Sequence, residues 1–231
     1  MSQAVEQMFA RIAGQYDLAN TLITAGLHHR WRRKAVQLSN ARPAMHVLDC
    51  ATGTGDFALA FAHVVGPTGQ VIATDVCMPM LDVFRKKIEG IAAPIRIEYA
   101  NMEQLPYPDA TFDIVSCGYG VRNADNPWRA LAEMARVTKP GGRVVILETG
   151  VPHHWLLRAF YTVHVKMIVP LIGQLIVGDR EAYRYLPRTA ARFPYGNAFA
   201  ERMYQTNAFE SVAVYPLLGG ASYIYVGTKR S

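Results

Sequence analysis

Residues 47–58, VLDCATGTGDFA, decide the fold of this chain. An apolar, strand-like start runs into Gly53 and Gly55, and Ala58 falls where a glycine fingerprint of the G-x-G-x-x-G/A type accepts it. Asp75 follows 20 residues after Gly55, where a dinucleotide-binding fold places an acid on a ribose hydroxyl. The glycines alone would suit NAD, so the nature of the ligand depends on the residues around them.

Strands alternate with helices around this loop. The predicted strands are 46–51, 70–75, 95–100, 112–118 and 143–149, and the predicted helices are 3–13, 28–38, 56–65, 79–88 and 127–138. Two more strand-like runs, 211–216 and 222–228, close the chain, and the second is expected to pair antiparallel at the sheet edge. The pattern predicts an α/β, Rossmann-like fold: a seven-stranded, mostly parallel sheet with an antiparallel last strand and helices on both faces.

The charge of the chain, +6 in total, is unevenly distributed. Residues 1–46 carry six Lys/Arg and two acids, residues 47–150 nine and twelve, and residues 151–231 nine and four. Basic flanks of this kind suit nucleic acid, an anionic membrane or an acidic substrate. Because no basic tract is interleaved with aromatic residues, we expect no nucleic-acid binding.

The cysteines and histidines indicate neither disulfides nor a metal. Cys50, Cys77 and Cys117 are an odd number and lie in or beside apolar, strand-like runs, so we expect reduced thiols in a cytoplasmic protein. The N-terminal residues lack the apolar core of a signal peptide. The histidine pairs 28–29 and 153–154 have no cysteine or carboxylate to complete a metal site, so none is predicted.

The charge around the glycine loop selects its ligand. From Pro43 to Phe84 there is no Lys or Arg, while four aspartates are present: Asp49, Asp56, Asp75 and Asp82. A pyrophosphate carries about two negative charges and is usually bound by helix N-termini, backbone amides and basic side chains, so these carboxylates oppose it. S-adenosylmethionine (SAM) carries a sulfonium and an ammonium against one carboxylate and is net positive. The sequence therefore favours SAM over NAD.

Each part of SAM has candidate partners at the carboxyl ends of the predicted strands. Asp49 or Asp56 would attract the ammonium group, directly or through water. The two glycines of the loop would leave room for the methionine part, and Asp75 would hold the ribose hydroxyls. Asn101 and Met102, after the third strand, would contact the adenine through an amide and a thioether.

Four segments resemble, in order and spacing, the motifs of class I SAM-dependent methyltransferases. They are DCATGTGD (49–56), ATDVCMPML (73–81), ANMEQLPYPDATFDIV (100–115) and RVTKPGGRVVILE (136–148). Four narrower segments resemble the ubiquinone/menaquinone biosynthesis C-methyltransferases of the UbiE/MenG type: MFARIAGQYDLAN (8–20), GLHHRWRR (26–33), GYGVRNADN (118–126) and GDREAYRYLPRTAARFP (178–194). The resemblance covers nearly the whole chain.

This resemblance implies SAM as the cofactor, with contacts at Thr54, Asp75, Asn101, Met102 and Gly118. Together with the residues derived above, the predicted cofactor set is Asp49, Gly53, Thr54, Gly55, Asp75, Val76, Asn101, Met102 and Gly118.

The chain is expected to form one methyltransferase domain. Its parts are an N-terminal helical cap (1–44), a SAM-binding core (45–150), a substrate-side helical insertion (151–209) and closing strands (210–231). The insertion contains the most apolar stretch, 159–179, which is interrupted by His164, Lys166 and Gln174. Pro170 is expected to break a helix there. We therefore predict helices packed on the domain, or a lid with an apolar inner wall, and no membrane span.

The implied reaction methylates a ring carbon of a prenylated quinol, such as a demethylmenaquinol or a 2-methoxy-6-polyprenyl-1,4-benzoquinol. A neutral aromatic carbon is a poor nucleophile, so the site has to help a ring hydroxyl lose its proton and has to align the ring with the methyl donor. Arg122 would stabilise a phenolate or orient a water, and Asn123 would hydrogen-bond the ring oxygen. The structural alternative pairs Arg122 with Asp125 and makes Asn123 the cap of the next helix.

Several residues keep more than one interpretation. Tyr183, Arg184 and Tyr185 are candidate substrate contacts or packing residues on a helix surface. His164 is a functional titratable residue in the apolar insertion or a structural one. The basic flanks and the apolar insertion suggest peripheral contact with an anionic membrane, and a homodimer is a further expectation.

Two other functions stay open. Met102 and the Glu148-Thr149-Gly150 segment depart from the residues usual in the family, which leaves room for a SAM-dependent methyltransferase of another apolar small molecule, such as a polyketide or a tetrapyrrole-like pigment. A non-catalytic scaffold with a cofactor fold is the second alternative, and the intact glycine loop argues against it.

Overall fold

The computed structural model describes residues 1–91, 93–179, 182–183, 185, 189–190 and 192–231. Its helices are α1 (Gln3–Ile12), α2 (Tyr16–Thr24), α3 (Leu27–Leu38), α4 (Asp56–Val65), α5 (Met78–Lys87), α6 (Pro127–Val137), α7 (Trp155–Val177) and α8 (Asn197–Gln205). Its strands are β1 (His46–Cys50), β2 (Gln70–Asp75), β3 (Ile95–Tyr99), β4 (Phe112–Gly118), β5 (Thr138–Thr149), β6 (Phe209–Leu217) and β7 (Ser222–Lys229).

The strands form one seven-stranded sheet in the order β3-β2-β1-β4-β5-β7-β6. Neighbours from β3 to β5 pair in parallel, and β7 pairs antiparallel with both β5 and β6. The predicted fold class is therefore confirmed. The placement of the last strand at the edge is wrong, because its first six residues are all buried and it lies between two partners, whereas β6 has exposed positions and forms the edge.

Most element boundaries agree with the sequence pattern, and two regions differ. Helix α2 was not among the predicted helices. Strand β5 begins at Thr138 instead of residue 143, because residues 139–142, a Lys-Pro-Gly-Gly sequence typical of a turn, extend the strand beside an irregularity in β4 between Phe112 and Ile114. Residues 139–142 are thus part of one long strand inside the sheet.

Apolar side chains cover both faces of the sheet. One face packs against α6 and α8 through residues such as Leu131 and Phe199. The opposite face packs against α3 and α4 through residues such as Val36 and Phe61. A third cluster joins α1 and α2 to α5 and α7 away from the sheet, so the N-terminal helices and the insertion form a layer beside the carboxyl ends of the strands.

Helix α7 passes through Pro170 without ending. The predicted break is wrong, because the flanking segments His164–Ile168 and Gly173–Val177 are π-helical and bond a carbonyl to the N–H five residues on. The missing N–H of proline then removes one bond from a helix that keeps its others. Of the helices among the described residues, α7 alone has the length and composition needed to cross a membrane, and 17% of its most apolar window is buried.

Candidate active site

The loop after β1 holds its two glycines in left-handed backbone conformations. Gly53 has a φ of 57° and Gly55 a φ of 85°. A Cβ on Gly55 would lie 2.1 Å from Cε2 of Phe84, so a larger residue would have to displace that buried ring. Glycine is therefore required for the loop to run this close to α5, where it presents its backbone at the carboxyl end of β1.

Asp75 ends β2 and ties the glycine loop to that strand. Its Oδ2 accepts a hydrogen bond from the backbone N–H of Gly53 at 2.8 Å, and its Oδ1 accepts one from the backbone N–H of Cys77 at 2.9 Å. Burial raises the pKa of Asp75, and these amide hydrogen bonds oppose the rise. A carboxylate has about four lone-pair sites, so Asp75 retains capacity for the hydroxyls of a ligand.

A cavity, which we call the loop cavity, opens at the carboxyl ends of β1 to β4. Six residues of the predicted cofactor set line it: Gly53, Asp75, Val76, Asn101, Met102 and Gly118. Phe9 and Tyr16 from the N-terminal helices also line it, as do Tyr119 and Asn123 after β4. The Oδ1 atom of Asn123 is buried and has no hydrogen-bond partner among the described residues, a deficit that a donor group of a ligand would satisfy.

The electrostatic character of the loop cavity is acidic. Its described lining has two carboxylates, Asp75 and Glu103, and no Lys or Arg. The N-terminal ammonium of Met1 also lines the cavity and lies 3.3 Å from Glu103 Oε1, which leaves Asp75 as the carboxylate without a cationic partner in the described lining. This lining suits a net positive ligand with ribose hydroxyls and opposes a pyrophosphate. The residues present therefore fit SAM, as the charge pattern of the sequence predicts.

Asp49 lies behind the glycine loop and lines neither this cavity nor the second one described below. Its Oδ1 accepts a hydrogen bond from Ser116 Oγ and its Oδ2 one from Thr52 Oγ1, both at 2.7 Å. Burial raises the pKa of Asp49 to about 6, against which the two hydroxyls act. Because Asp49 is fully buried and lines neither cavity, it braces the loop instead of presenting a charge to the ammonium group.

Thr54 and Asp56 join the loop to the N-terminal helices, and neither they nor Gly55 line the loop cavity. Thr54 Oγ1 donates to Asp17 on α2, and Lys87 Nζ lies 2.6 Å from Asp17 Oδ2 and 2.9 Å from Asp56 Oδ1. Burial opposes the charge of Asp56, but Arg32 and Lys87 lower its pKa. Cations from outside the Lys/Arg-free stretch thus neutralise Asp56, which corrects its predicted role toward the ammonium group.

The fold also brings Asp56 to the histidine pair of α3. Potential ligand atoms of His28, His29 and Asp56 lie within 4.8 Å of one another, so the premise that no carboxylate accompanies these histidines is wrong. Arg32 and Lys87 already contact Asp56, and their charges oppose a metal ion at this place. We therefore assign no metal to this cluster.

A second cavity of about 470 Å³, which we call the helix cavity, lies between α2, α3 and α7 and the loops after β4, β5 and β6. Its apolar lining includes Ile23, Ala25, Leu27, Trp31, Pro152, Leu157, Phe160, Leu218 and Ala221. Its polar lining includes His28, Arg32, Arg122, Tyr161 and His164. Tyr16 and Tyr119 line both cavities, so the two meet at these rings.

Arg122 and Glu148 form a buried ion pair beside the helix cavity. Arg122 follows β4, and its Nη1 donates to Oε1 of Glu148 at the end of β5. Burial favours the neutral guanidine, but Glu148 raises the pKa of Arg122, so the side chain remains charged. The predicted alternative, a pair between Arg122 and Asp125, is wrong, since Glu148 takes that place. Within the part of the chain that the structure describes, Arg122 Nε and Glu148 Oε2 are buried and have no hydrogen-bond partner.

Asn123 lines the loop cavity and not the helix cavity. Its Nδ2 donates to the backbone carbonyl of Tyr119 at 3.3 Å. The cap of α6 is Asn126, whose Oδ1 accepts a hydrogen bond from the backbone N–H of Arg129 at 3.1 Å. The structural alternative that makes Asn123 a helix cap is therefore wrong.

Tyr119 lines both cavities, and two arginine side chains lie over its ring. The guanidinium carbons of Arg32 and Arg122 lie 5.9 and 6.0 Å from its centroid, and its hydroxyl lies 3.0 Å from Ser222 Oγ. Ring–cation contacts of this kind hold the guanidinium groups in place. The junction of the two cavities therefore has two guanidinium groups on the side of the helix cavity, and these can donate to an anionic oxygen there.

The predicted substrate residues of the insertion lie elsewhere. Tyr183 is fully buried in the cluster of α1, α2 and α7, and a Cβ on Gly173 would lie 2.5 Å from its ring. Neither Tyr183 nor Tyr185, which packs at the edge of the same cluster, lines the helix cavity. Contact of Tyr183 with a substrate is corrected to core packing, and Arg184 lies outside the described residues.

Sequence reasoning missed three residues of the two cavities and their junction. Arg32 stands four residues after His28, on the same helix face, and that spacing predicts a shared environment. Glu148 stands at the carboxyl end of a parallel strand, where ligand sites of open α/β sheets form. Tyr16 had no such signal, because only the tertiary fold brings α2 to the sheet.

These features together define a class of protein. An open, mostly parallel sheet with a glycine loop after its first strand, a buried carboxylate ending its second and an acidic cavity beside them characterises the SAM-dependent methyltransferases. The fold is also that of a SAM-dependent methyltransferase from Thermotoga maritima, with a TM-score of 0.68 and 19% identity over 98% of this chain and 100% of that one. A SAM-dependent methyltransferase from Aquifex aeolicus has the same fold, with a TM-score of 0.61 and 17% identity. The match covers 86% of this chain and 89% of that one.

Sequence comparison defines the family. The ubiE/COQ5 methyltransferase family matches residues 1–229. A ubiquinone/menaquinone biosynthesis C-methyltransferase of Bdellovibrio bacteriovorus is 41% identical over 228 residues, which is 99% of this chain and 97% of the relative. The protein of the same name from Stutzerimonas stutzeri is 37% identical over 230 residues, 99% and 90% of the two chains. The chain belongs to the ubiE/COQ5 methyltransferase family and is a SAM-dependent methyltransferase.

Proposed function

We propose that this protein methylates a ring carbon of a prenylated quinol. The relatives named above act, by their names, in ubiquinone and menaquinone biosynthesis. The observation that carries the proposal here is the helix cavity, because it joins the loop cavity at Tyr16 and Tyr119, is apolar along most of its wall and ends at two guanidinium groups. An acceptor with a polar ring and an apolar tail matches that distribution.

The polar end of the helix cavity prepares the acceptor ring. When bound in the loop cavity, SAM supplies an electrophilic methyl group on a sulfonium sulfur. Arg122 stays charged, so it stabilises a phenolate oxygen and lowers the free energy of removing the hydroxyl proton. Glu148 fixes the orientation of Arg122 through their buried ion pair. Arg32, whose guanidinium carbon lies 5.9 Å from the Tyr119 ring centroid, is a second cation for a second ring oxygen.

The mouth of the helix cavity suits the prenyl tail. Leu157, Phe160 and Leu218 line the cavity and are also exposed on the surface, with 74% of Phe160 accessible. Exposed large apolar side chains around a cavity entrance mark a site that meets another apolar surface. The tail would leave the cavity between these side chains.

We infer that the surface met there is an anionic membrane. Four residues of α7 spaced four apart, Val163, Met167, Leu171 and Leu175, form what we call the outer stripe and are 53% to 73% exposed. The parts of the chain that carry α3 and α7 are both net basic, with exposed Arg30, Arg33 and Lys34 on α3. An apolar helix face beside basic residues is typical of interfacial binding.

The identity of the acceptor is tested with methyl-labelled SAM. Purified protein is incubated with reduced membrane lipids from a strain that lacks it, and the labelled lipid is identified by mass spectrometry. We expect one labelled product, a prenylated quinone heavier than its precursor by one methyl group. A label confined to a lipid without a quinone ring would assign the chain to another apolar acceptor, and label in a quinone formed without the protein would overturn the proposal.

A further inference from the structure

One face of α7 closes the helix cavity. Leu157, Phe160, Tyr161 and His164 all line it, at spacings of three, four and seven residues from the first. These spacings place the four side chains on one side of the helix, while the outer stripe occupies another. His164 is half-buried at the start of the first π-helical segment, and it lines the same cavity as Arg122.

Most polar groups of this wall cannot take up a proton. Its titratable residues, among those the structure describes, are Tyr16, His28, Arg32, Tyr119, Arg122, Tyr161 and His164. The arginines are permanently charged. Burial raises the pKa of Tyr119 to about 12 and also raises that of Tyr161, so these phenols are protonated and donate. A phenol is ordinarily protonated at neutral pH, so the tyrosines as a group are not bases, and the two histidines are the candidate bases among the described lining residues.

His28 is unsuited to the task. Its Nδ1 lies 2.7 Å from Thr24 Oγ1, so one ring nitrogen is already engaged in a hydrogen bond inside the protein. Its Nε2 is buried and lies 3.7 Å from Asp56 Oδ2. Burial and Arg32 lower the pKa of His28 to about 4, which makes it a weak base.

We propose that His164 is the base that accepts the hydroxyl proton of the acceptor ring. The O–H bond breaks, an N–H bond forms on the imidazole, and the electron pair stays on the ring oxygen, beside Arg122. The ring carbon then gains its methyl group as the methyl–sulfur bond of SAM breaks and S-adenosylhomocysteine leaves. The proton of that ring carbon goes to water, and the imidazolium returns its proton to the oxygen. The net reaction releases one proton. This assignment rests on the proposed function, since it requires an acceptor hydroxyl.

The test compares His164→Gln and His164→Ala with wild type and with His63→Gln, a matched histidine variant on the exposed side of α4. Turnover of a short-tailed quinol is measured from pH 5 to 9 at saturating SAM, together with SAM affinity by calorimetry. General-base catalysis contributes about 10²–10⁴-fold, so we expect a kcat loss of that size in both His164 variants. The fall of kcat on the acid side of the pH profile disappears in His164→Gln. Added imidazole restores the turnover of His164→Ala.

A second readout does not depend on turnover. In wild-type protein, the ¹⁵N signals of one imidazole change position when the quinol is added at constant pH, and this signal is missing from His164→Gln and present in His63→Gln. Retention of the acid limb and of kcat within about threefold in His164→Gln overturns the assignment. Loss of SAM affinity in both His164 variants overturns it as well, because His164 is then a structural residue. Absence of quinol turnover in wild type overturns the proposed function instead.

Discussion

The two cavities are built in different ways. The loop cavity is formed mainly by the segments that follow four adjacent parallel strands, and hydrogen bonds to backbone amides fix its central carboxylate, Asp75. The helix cavity is assembled from α2, α3 and α7 and loops far apart in the sequence, and exposed apolar side chains form its mouth. The difference indicates that cofactor binding belongs to the sheet and acceptor choice to the helices around it.

The largest effect expected is on the polar end of the helix cavity. Arg122→Ala alone would leave the buried charge of Glu148 without its partner and would lower the free energy of unfolding by about 3–5 kcal/mol. We therefore combine Arg122→Met with Glu148→Gln. Loss of the cation lowers kcat by about 10²–10³-fold, while SAM affinity, measured by calorimetry, changes by less than about threefold. Arg129→Met on exposed α6 is the control. Wild-type turnover in the double variant would contradict the assignment of acceptor activation to the helix cavity.

A second prediction contrasts Asp49 behind the glycine loop with His28 in the helix cavity. The folded pKa of Asp49, about 6, is above its unfolded value, so its contribution lowers stability as pH rises from 4 to 6. The folded pKa of His28, about 4, is below its unfolded value, so its contribution raises stability over nearly the same range. Each contribution is about 3 kcal/mol, and the two oppose each other.

Single variants separate these contributions. In urea unfolding between pH 4 and 6.5, Asp49→Asn gains about 3 kcal/mol more stability with rising pH than wild type, and His28→Gln gains about 3 kcal/mol less. His63→Gln, exposed on α4, follows wild type. Parallel curves for all four proteins would show that neither group titrates abnormally in the fold.

The loop cavity has its own test in Asp75→Asn. The amide cannot accept from Gly53 and Cys77 and also bind ribose hydroxyls as a carboxylate does, so SAM binds about 10- to 100-fold more weakly. At saturating SAM, kcat falls far less than in the Arg122 double variant. Asp82→Asn, on the exposed side of α5, is the matched control for loss of one charge. Equal SAM affinity in Asp75→Asn and wild type would remove this residue from the cofactor site.

The smallest effect concerns the outer stripe of α7. Met167→Glu with Leu175→Glu places two charges on the face proposed to enter the membrane, so affinity for vesicles of anionic lipid falls by about tenfold or more. Ile91→Glu, at an equally exposed apolar residue after α5, leaves binding unchanged. Turnover of a short-tailed quinol in solution is kept in all of these variants. Unchanged vesicle binding in the double variant would assign membrane contact, if any, to another surface.

The sequence predicts the loop cavity better than the helix cavity for a physical reason. Asp75, Asn101 and Gly118 each follow a strand, and parallel strands bring their carboxyl ends together, so local pattern is enough. In contrast, Asp56 pairs with Lys87 and Arg122 pairs with Glu148. These partners are distant in the sequence, and only the tertiary fold brings them together.

The same limit applies to the insertion. Pro170 is a reliable helix breaker in an α-helical frame, but the π-helical turns beside it depend on the packing of α7 and have no signature in the sequence. The wall that α7 supplies to the helix cavity therefore follows only from the structure.

The rings of Tyr16 and Tyr119, which belong to both cavity walls, have a thermodynamic consequence. A ligand that moves or orders either ring in one cavity changes the free energy of binding in the other, and linkage requires the two effects to be equal. If SAM tightens the acceptor site, the acceptor tightens SAM by the same factor. Sharing two side chains thus converts two adjacent sites into one cooperative unit, with no need for a change of fold.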